Sequence, residues 1–355
     1  MEAVGELIRS DAAVMERVDD SSGGMGMVFR EACELFAIAA EAAGKPAEAE
    51  AWFFRLAKEN NYGVRDALFD YVPRILAQES LDRLIADWRE AIAGKGFKEA
   101  FTEGIRLSQA AKAMGDPELF EEGKLCGETS ESYPMIALDV ARFYLECGRP
   151  EEALAKVPAR ENLRSRWGFD ELLVEIHRAL GDESAQAEIH FRQFERLASA
   201  KEARNYLQTI PQDRREAERQ RLETLVSEGD YSPMDKARFF TAMGKPAIAA
   251  SIIEKNAESL GETYYSLTEL AKPLAKLHPR AATLLYREAV EQTLVEAKSK
   301  NYRHAVRYIQ QLEKLAKAVE SWSAIPNHDA WIDGIRSRHA RKSAFWKAMG
   351  ESRSN

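Results

Sequence analysis

With 355 residues the chain exceeds what a single compact core sustains, so it forms either two globular domains or one elongated array of repeats. A content of 45% hydrophobic and 30% charged residues excludes wholesale disorder, and a net charge of -8 excludes a surface that is basic throughout. The charge is uneven: residues 1–60 carry 12 acidic against 6 basic side chains, whereas 336–355 holds Arg336, Arg338, Arg341, Lys342, Lys347 and Arg353 against Glu351.

The opening stretch, MEAVGELIRSDAAV, has no basic segment followed by an apolar one, and no window approaches the length of a transmembrane helix. Neither export nor membrane anchoring is expected, and a cytoplasmic location follows. The chain starts directly on a helical pattern with no cap before it, which predicts an upstream portion. The glycine-rich SSGGMGM, Ser21–Met27, lacks the lysine and hydroxyl of a phosphate-binding loop and the preceding strand of a dinucleotide loop. It reads as a flexible loop before a helix beginning near Met27. The least ordered parts are expected at Asp19–Gly26 and Glu351–Asn355.

Further along, Ile136, Val140, Phe143, Tyr144 and Cys147 fall at offsets 0, 4, 7, 8 and 11, the apolar stripe of a helix. Gly148 then supplies a left-handed terminus, and Pro150 suits the first turn of the next helix, where its missing N–H has no bond to lose. Ala153 is small enough for close helix approach. The phrase recurs at Gly44-Lys45-Pro46, Gly115-Asp116-Pro117, Gly181-Asp182-Glu183 and Gly244-Lys245-Pro246, with intervals between successive glycines of 71, 33, 33 and 63 residues. These are about one or two times a unit of roughly 32 to 36 residues, the period of tetratricopeptide-like hairpins. Weaker joints fill the gaps at Gln78-Glu79-Ser80, Pro211-Gln212-Asp213 and His278-Pro279.

One-sided patterns continue through Phe169–Leu180, Ala187–Ala198 and Ala305–Val319, and sustained two-residue alternation is absent. The expected fold is therefore all-α: a right-handed α-solenoid of about eight tetratricopeptide-like hairpins with no sheet, continuous over 1–335, followed by a basic and aromatic C-terminal helix and tail at 336–355. Pro273 predicts a local break, and Pro134 and Pro158 mark helix edges.

Candidate chemistry is sparse. Cys33, Cys126 and Cys147 form no CxxC pair, and the six histidines contain no HExxH, so neither a disulfide framework, a metal site nor any other cofactor is indicated. No GxSxG occurs, and the paired carboxylates Glu121-Glu122 and Glu151-Glu152 are what any acidic helix surface offers. The remaining candidates lie in NYRHAVRYIQQ and RSRHARKSAFWKAM. Arg303, His304, Arg307 and Tyr308 form one group; His339, Arg341, Lys342 and Trp346 form another. Both combine cationic and aromatic side chains suited to phosphate or acidic-peptide recognition. The same residues also suit the end of a helical array, where cations offset helix dipoles and aromatics cap the last hairpin.

The order of DDSSGGMGMVFREA, ENNYGVRDALFDYVPRIL, CGRPEEALAKV, LYREAVEQTLVEAKSKNYRHAVRYIQQLEKL and RHARKSAFWKAM resembles an uncharacterised bacterial helical-repeat family. That family is related to the helical C-terminal regions of some SWIM zinc-finger proteins. The resemblance implies a helical solenoid without an established activity and offers no catalytic residues. The CxC and CxH ligands of a SWIM finger are absent, so zinc is not implied.

The expected function is that of a non-enzymatic scaffold whose groove binds an unknown protein or peptide partner. Nucleic-acid or polyanion binding through the C-terminal cluster is the alternative, disfavoured by the net acidity. An enzyme with a site built between helices is a third reading that no motif supports.

Overall fold

The computed structural model describes the chain except residues 59, 61–62, 96, 127–133, 161–167, 262, 297, 324 and 354–355, and the side chains of 97–98 and 351–353. Part of the Glu351–Asn355 segment expected to be least ordered thus lies outside the described residues. Among those described, every regular element is a helix, and no strand occurs. By backbone proximity the residues fall into two compact units, Met1–Asp182 and Glu183–Asn355.

The first unit contains α1 (Glu2–Arg9), α2 (Asp11–Met15), α3 (Gly24–Ala42) and α4 (Ala47–Lys58), then a 3-10 helix at Val64–Tyr71. It continues with α5 (Val72–Ile75), α6 (Gln78–Ile92), α7 (Phe97–Met114), α8 (Pro117–Leu125), α9 (Pro134–Glu146), α10 (Pro150–Lys156) and α11 (Phe169–Ala179). Contrary to the expected loop, α3 begins at Gly24, three residues before Met27. The cause is Asp20, whose carboxylate accepts the N–H groups of Met25 and Gly26 at 2.8 and 3.0 Å and so satisfies the free donors of the first turn.

Glycine ends the helices where the sequence places it. Gly44, Gly115, Gly148, Gly181 and Gly244 all take positive φ, between 70° and 80°. In each case the next residue's N–H reaches back to a carbonyl five positions earlier: Lys45 to Ala40, Asp116 to Ala111, Arg149 to Tyr144, Asp182 to His177 and Lys245 to Phe240, at 2.8–3.0 Å. This is the six-to-one bond of a Schellman terminus, in which only glycine holds the left-handed position without strain. Pro134 and Pro150 sit at helix starts, Pro158 follows the end of α10, and Pro273 lies in the last turn of its helix.

The joints differ in what they connect. Across Gly115 and Gly148, α7 packs along α8 and α9 along α10. Across Gly44, α3 packs chiefly on the 3-10 helix, α1 and α5, while Trp52 of α4 lies on Gly5 of α1. The α7–α8 crossing is tight because both helices carry glycine there: a Cβ on Gly123 would come within 2.7 Å of Gly104 O. Three exposed ion pairs each join residues 33 apart, Glu41 with Arg74, Arg89 with Glu122 and Arg142 with Glu175. Such surface pairs contribute little energy; they mark a constant register. The core runs from Ile8 to Ile176 and includes the ring contacts Phe53–Phe69 and Phe69–Trp88 at 5.6 and 5.8 Å.

The second unit contains α12 (Glu183–Leu197), α13 (Ala200–Thr209), α14 (Arg215–Glu228), α15 (Pro233–Ala242), α16 (Pro246–Lys255) and α17 (Tyr264–Leu274). It ends with α18 (Pro279–Val295), α19 (Tyr302–Ala316), α20 (His328–Arg338) and α21 (Ser343–Arg353). Consecutive helices from α12 to α20 pack together, α21 packs on α19, and further helices two apart also touch, α13 with α15, α15 with α17 and α16 with α18. The most enclosed element is α18, whose residues Ala281–Arg287 are all buried. It packs on α16, α17 and α19 at once, which is what encloses it.

Candidate functional site

The two candidate side-chain groups stand in different places. Tyr302 and His304 are two positions apart on α19, hence roughly 200° around the helix. Tyr302 meets Phe345 of α21, ring to ring at 5.9 Å, whereas His304 faces α17.

The α17 side begins with Thr263, whose hydroxyl accepts the Ser266 N–H and starts the helix. Tyr264 and Tyr265 follow directly. Adjacent positions on a helix diverge, so Tyr264 is buried while Tyr265 remains 59% exposed. Their rings lie 4.2 Å apart, and His304 sits 6.2 and 6.5 Å from them. Arg307, one turn along α19, donates from Nη2 to His304 Nδ1 at 2.8 Å. Since guanidinium only donates, Nδ1 is the acceptor and the ring proton resides on Nε2. Burial, then the Arg307 and Arg303 charges, lower the His304 pKa, which favours this neutral form.

The face continues to Tyr308, whose ring is 5.9 Å from Tyr286 of α18. A hydrogen bond with Tyr265, followed by burial, pushes the Tyr264 phenol up to about 12, and burial raises that of Tyr286. Lys272 is paired with Glu269 at 2.5 Å, and Lys298 with Glu296 at 3.5 Å. Arg303 and Arg307 are exposed and have no carboxylate partner among the described residues.

The second group is largely committed internally. His339 Nε2 lies 2.8 Å from Glu291 Oε2, and Arg338 pairs with the other oxygen of that carboxylate. Trp346 donates its indole N–H to His339 O at 3.0 Å, and Arg336 stacks on its ring at 5.7 Å. Arg341 is exposed and Lys342 half-buried, neither paired with a carboxylate among the described residues.

Sequence reasoning passed over Tyr264, Tyr265 and Tyr286; the signal was the tyrosine pair directly after a capping threonine. It also missed Arg287. This guanidinium is buried between Trp322 and Trp331, 5.0 and 5.2 Å from their centroids, with Nη1 donating to Pro326 O. Its Nε and Nη2 have no hydrogen-bond partner among the described residues, and burial alone pushes its pKa down to about 10.

No three histidine, cysteine or carboxylate side chains among the described residues are arranged to hold a metal, and the three cysteines are free thiols. Burial raises the Cys33 thiol to about 12 and lifts those of Cys126 and Cys147. A cleft of about 550 Å³ beside α15 and α16 is lined by Tyr231, Lys236 and Lys255. There Tyr231 and Lys236 are engaged with the backbone carbonyls of Glu195 and Ser227. No helix among the described residues is long and apolar enough to cross a membrane. No curated protein matches the chain. A family model does match, over residues 1–348, and by that match the chain belongs to a family of unknown function, DUF6880.

Proposed function

We propose that this protein is a non-enzymatic interaction scaffold that holds a protein or peptide partner on the α17–α19 face. The observation that carries the reading is Tyr265, 59% exposed beside two arginines that lack carboxylate partners. Tyrosine and arginine recur as energetic anchors of protein interfaces because each offers a large apolar plane with a polar edge. The wider architecture in this reading is a right-handed, tetratricopeptide-like α-solenoid, with kinship to the helical regions of bacterial SWIM proteins. Five Schellman joints and three ion pairs at a spacing of 33 residues support the repeat. A cytoplasmic location is part of the same reading.

Affinity capture with the wild-type chain and with a Tyr265→Ala, Arg307→Gln variant tests the proposal. A reproducible partner retained by the first and lost by the second is expected. Recovery of the same partner by both removes the face from the reading.

A second reading, polyanion or nucleic-acid binding, rests on Arg341 and Lys342, which no described carboxylate neutralises. It predicts that Arg341→Ala with Lys342→Ala weakens oligonucleotide binding and flattens its salt dependence.

A further inference from the structure

The charged groups left without a charged partner on the α17–α19 face are hydrogen-bond donors. Guanidinium groups donate only, and the hydroxyl of the exposed Tyr265 beside them both donates and accepts. The nearby carboxylates are already used, Glu269 by Lys272 and Glu296 by Lys298. What remains unmatched is positive: Arg303 and Arg307 on one turn of α19. From Tyr264 to Lys272 the face extends about 12 Å, enough for about four residues of extended chain.

We propose that this face binds an acidic segment of a partner protein, a short extended peptide whose aspartate or glutamate carboxylates meet Arg303 and Arg307 while its backbone crosses Tyr265. The inference rests on the scaffold reading and adds the chemistry of the ligand. A bidentate guanidinium–carboxylate pair gives both direction and energy, and the flat Tyr265 ring supplies contact area at low entropic cost. A polyphosphate chain fits less well, because it draws its affinity from a run of cations along its length, whereas the face offers two unmatched arginines, and its lysines Lys272 and Lys298 are already paired with Glu269 and Glu296.

The test is fluorescence anisotropy with three labelled probes: a short glutamate-rich peptide, its glutamine counterpart and a single-stranded oligodeoxynucleotide. The glutamate peptide is expected to bind about tenfold more tightly than the glutamine one, and Arg303→Gln with Arg307→Gln to abolish that preference. Tyr265→Ala is expected to weaken binding about tenfold, with thermal unfolding by circular dichroism unchanged. Equal binding of the two peptides, insensitivity to the arginine variants, or preference for the oligonucleotide overturns the inference. If affinity capture still depends on Tyr265 while the probes show no charge preference, the acidic ligand fails and the scaffold stands. If neither capture nor probe binding depends on this face, both fail.

Discussion

Arg287 Nη1 donates to the carbonyl oxygen of Pro326 at 2.8 Å, tying the middle of α18 to the segment that leads into α20. The bond holds a cation that no carboxylate among the described residues balances. Burying a charge without a partner costs more than burying an apolar chain of similar volume. Arg287→Ala is therefore expected to destabilise the second unit by about 2–4 kcal/mol, through a cavity and the lost stack on Trp322 and Trp331. Arg287→Met, which fills the space without the charge, is expected within about 1 kcal/mol of wild type. Urea unfolding monitored by tryptophan fluorescence measures both. Equal losses in the two variants mean that the charge itself stabilises.

A different balance governs Arg65 and Asp11. Both are sealed from solvent, and Arg65 also donates to the carbonyls of Leu56 and Arg9, so it gathers three segments. Asp11→Ala strands this cation and is expected to cost about 3–5 kcal/mol. Adding Arg65→Met should recover a large part of that loss. A double mutant no more stable than Asp11→Ala contradicts the account.

Two glycine substitutions should separate packing from backbone strain. At Gly44, φ is 74° and a Cβ meets nothing within 4 Å, so Gly44→Ala costs only the left-handed penalty of about 1–2 kcal/mol. At Gly104 a Cβ would overlap Cys126 Sγ and lie 2.5 Å from Gly123 O, forcing α7 and α8 apart. Gly104→Ala is expected to cost at least about 3 kcal/mol. Cys126→Ala relieves the sulfur clash alone and should rescue part of it. Thermal melts of Gly44→Ala, Gly104→Ala and the Gly104→Ala, Cys126→Ala double variant provide the comparison.

His304 should titrate below its ordinary value, because burial and the charges of Arg307 and Arg303 disfavour its protonated form. The unfolded chain then binds a proton at higher pH than the folded one. The stability linked to this ring is complete above the ordinary value of about 6.5, is lost as pH falls from there through the lowered folded value, and changes no further below it. Following the His304 ring signal by NMR tests this, and Arg307→Gln should move the titration upward. An unmoved titration would leave burial and the Arg303 charge as its causes.

The positions of the joints were legible in the sequence because a Schellman terminus depends on one residue, glycine, and on its immediate successors. What each joint connects was not. At Gly44 the phrase is the same as at Gly244, yet α3 turns to α1, the 3-10 helix and α5. That choice follows from Trp52 lying on Gly5, a contact across the chain that no local pattern announces. The start of α3 was misplaced because Asp20 acts from outside the helical period. In the candidate face, His304, Arg307 and Tyr308 were legible as one helical face with Arg303 adjacent to it, but their partners on α17 depend on which helices become neighbours. For the same reason the two C-terminal groups looked alike on paper, although Glu291, distant in sequence, engages His339 and leaves His304 untouched.

The ion pairs that join residues 33 apart also bear on how the chain is made. Each pair closes over 33 residues of newly synthesised polypeptide, so its second member emerges while the first is still close to the point of synthesis. Packing can follow elongation, with a short stretch of chain to close at each step. An insertion inside the helix that carries either partner would offset its arginine or glutamate, whereas one placed in a turn between the partners lengthens the loop and leaves the helical phase of both intact. For this protein the turns are therefore where length is free to vary, and the helices are where it is counted.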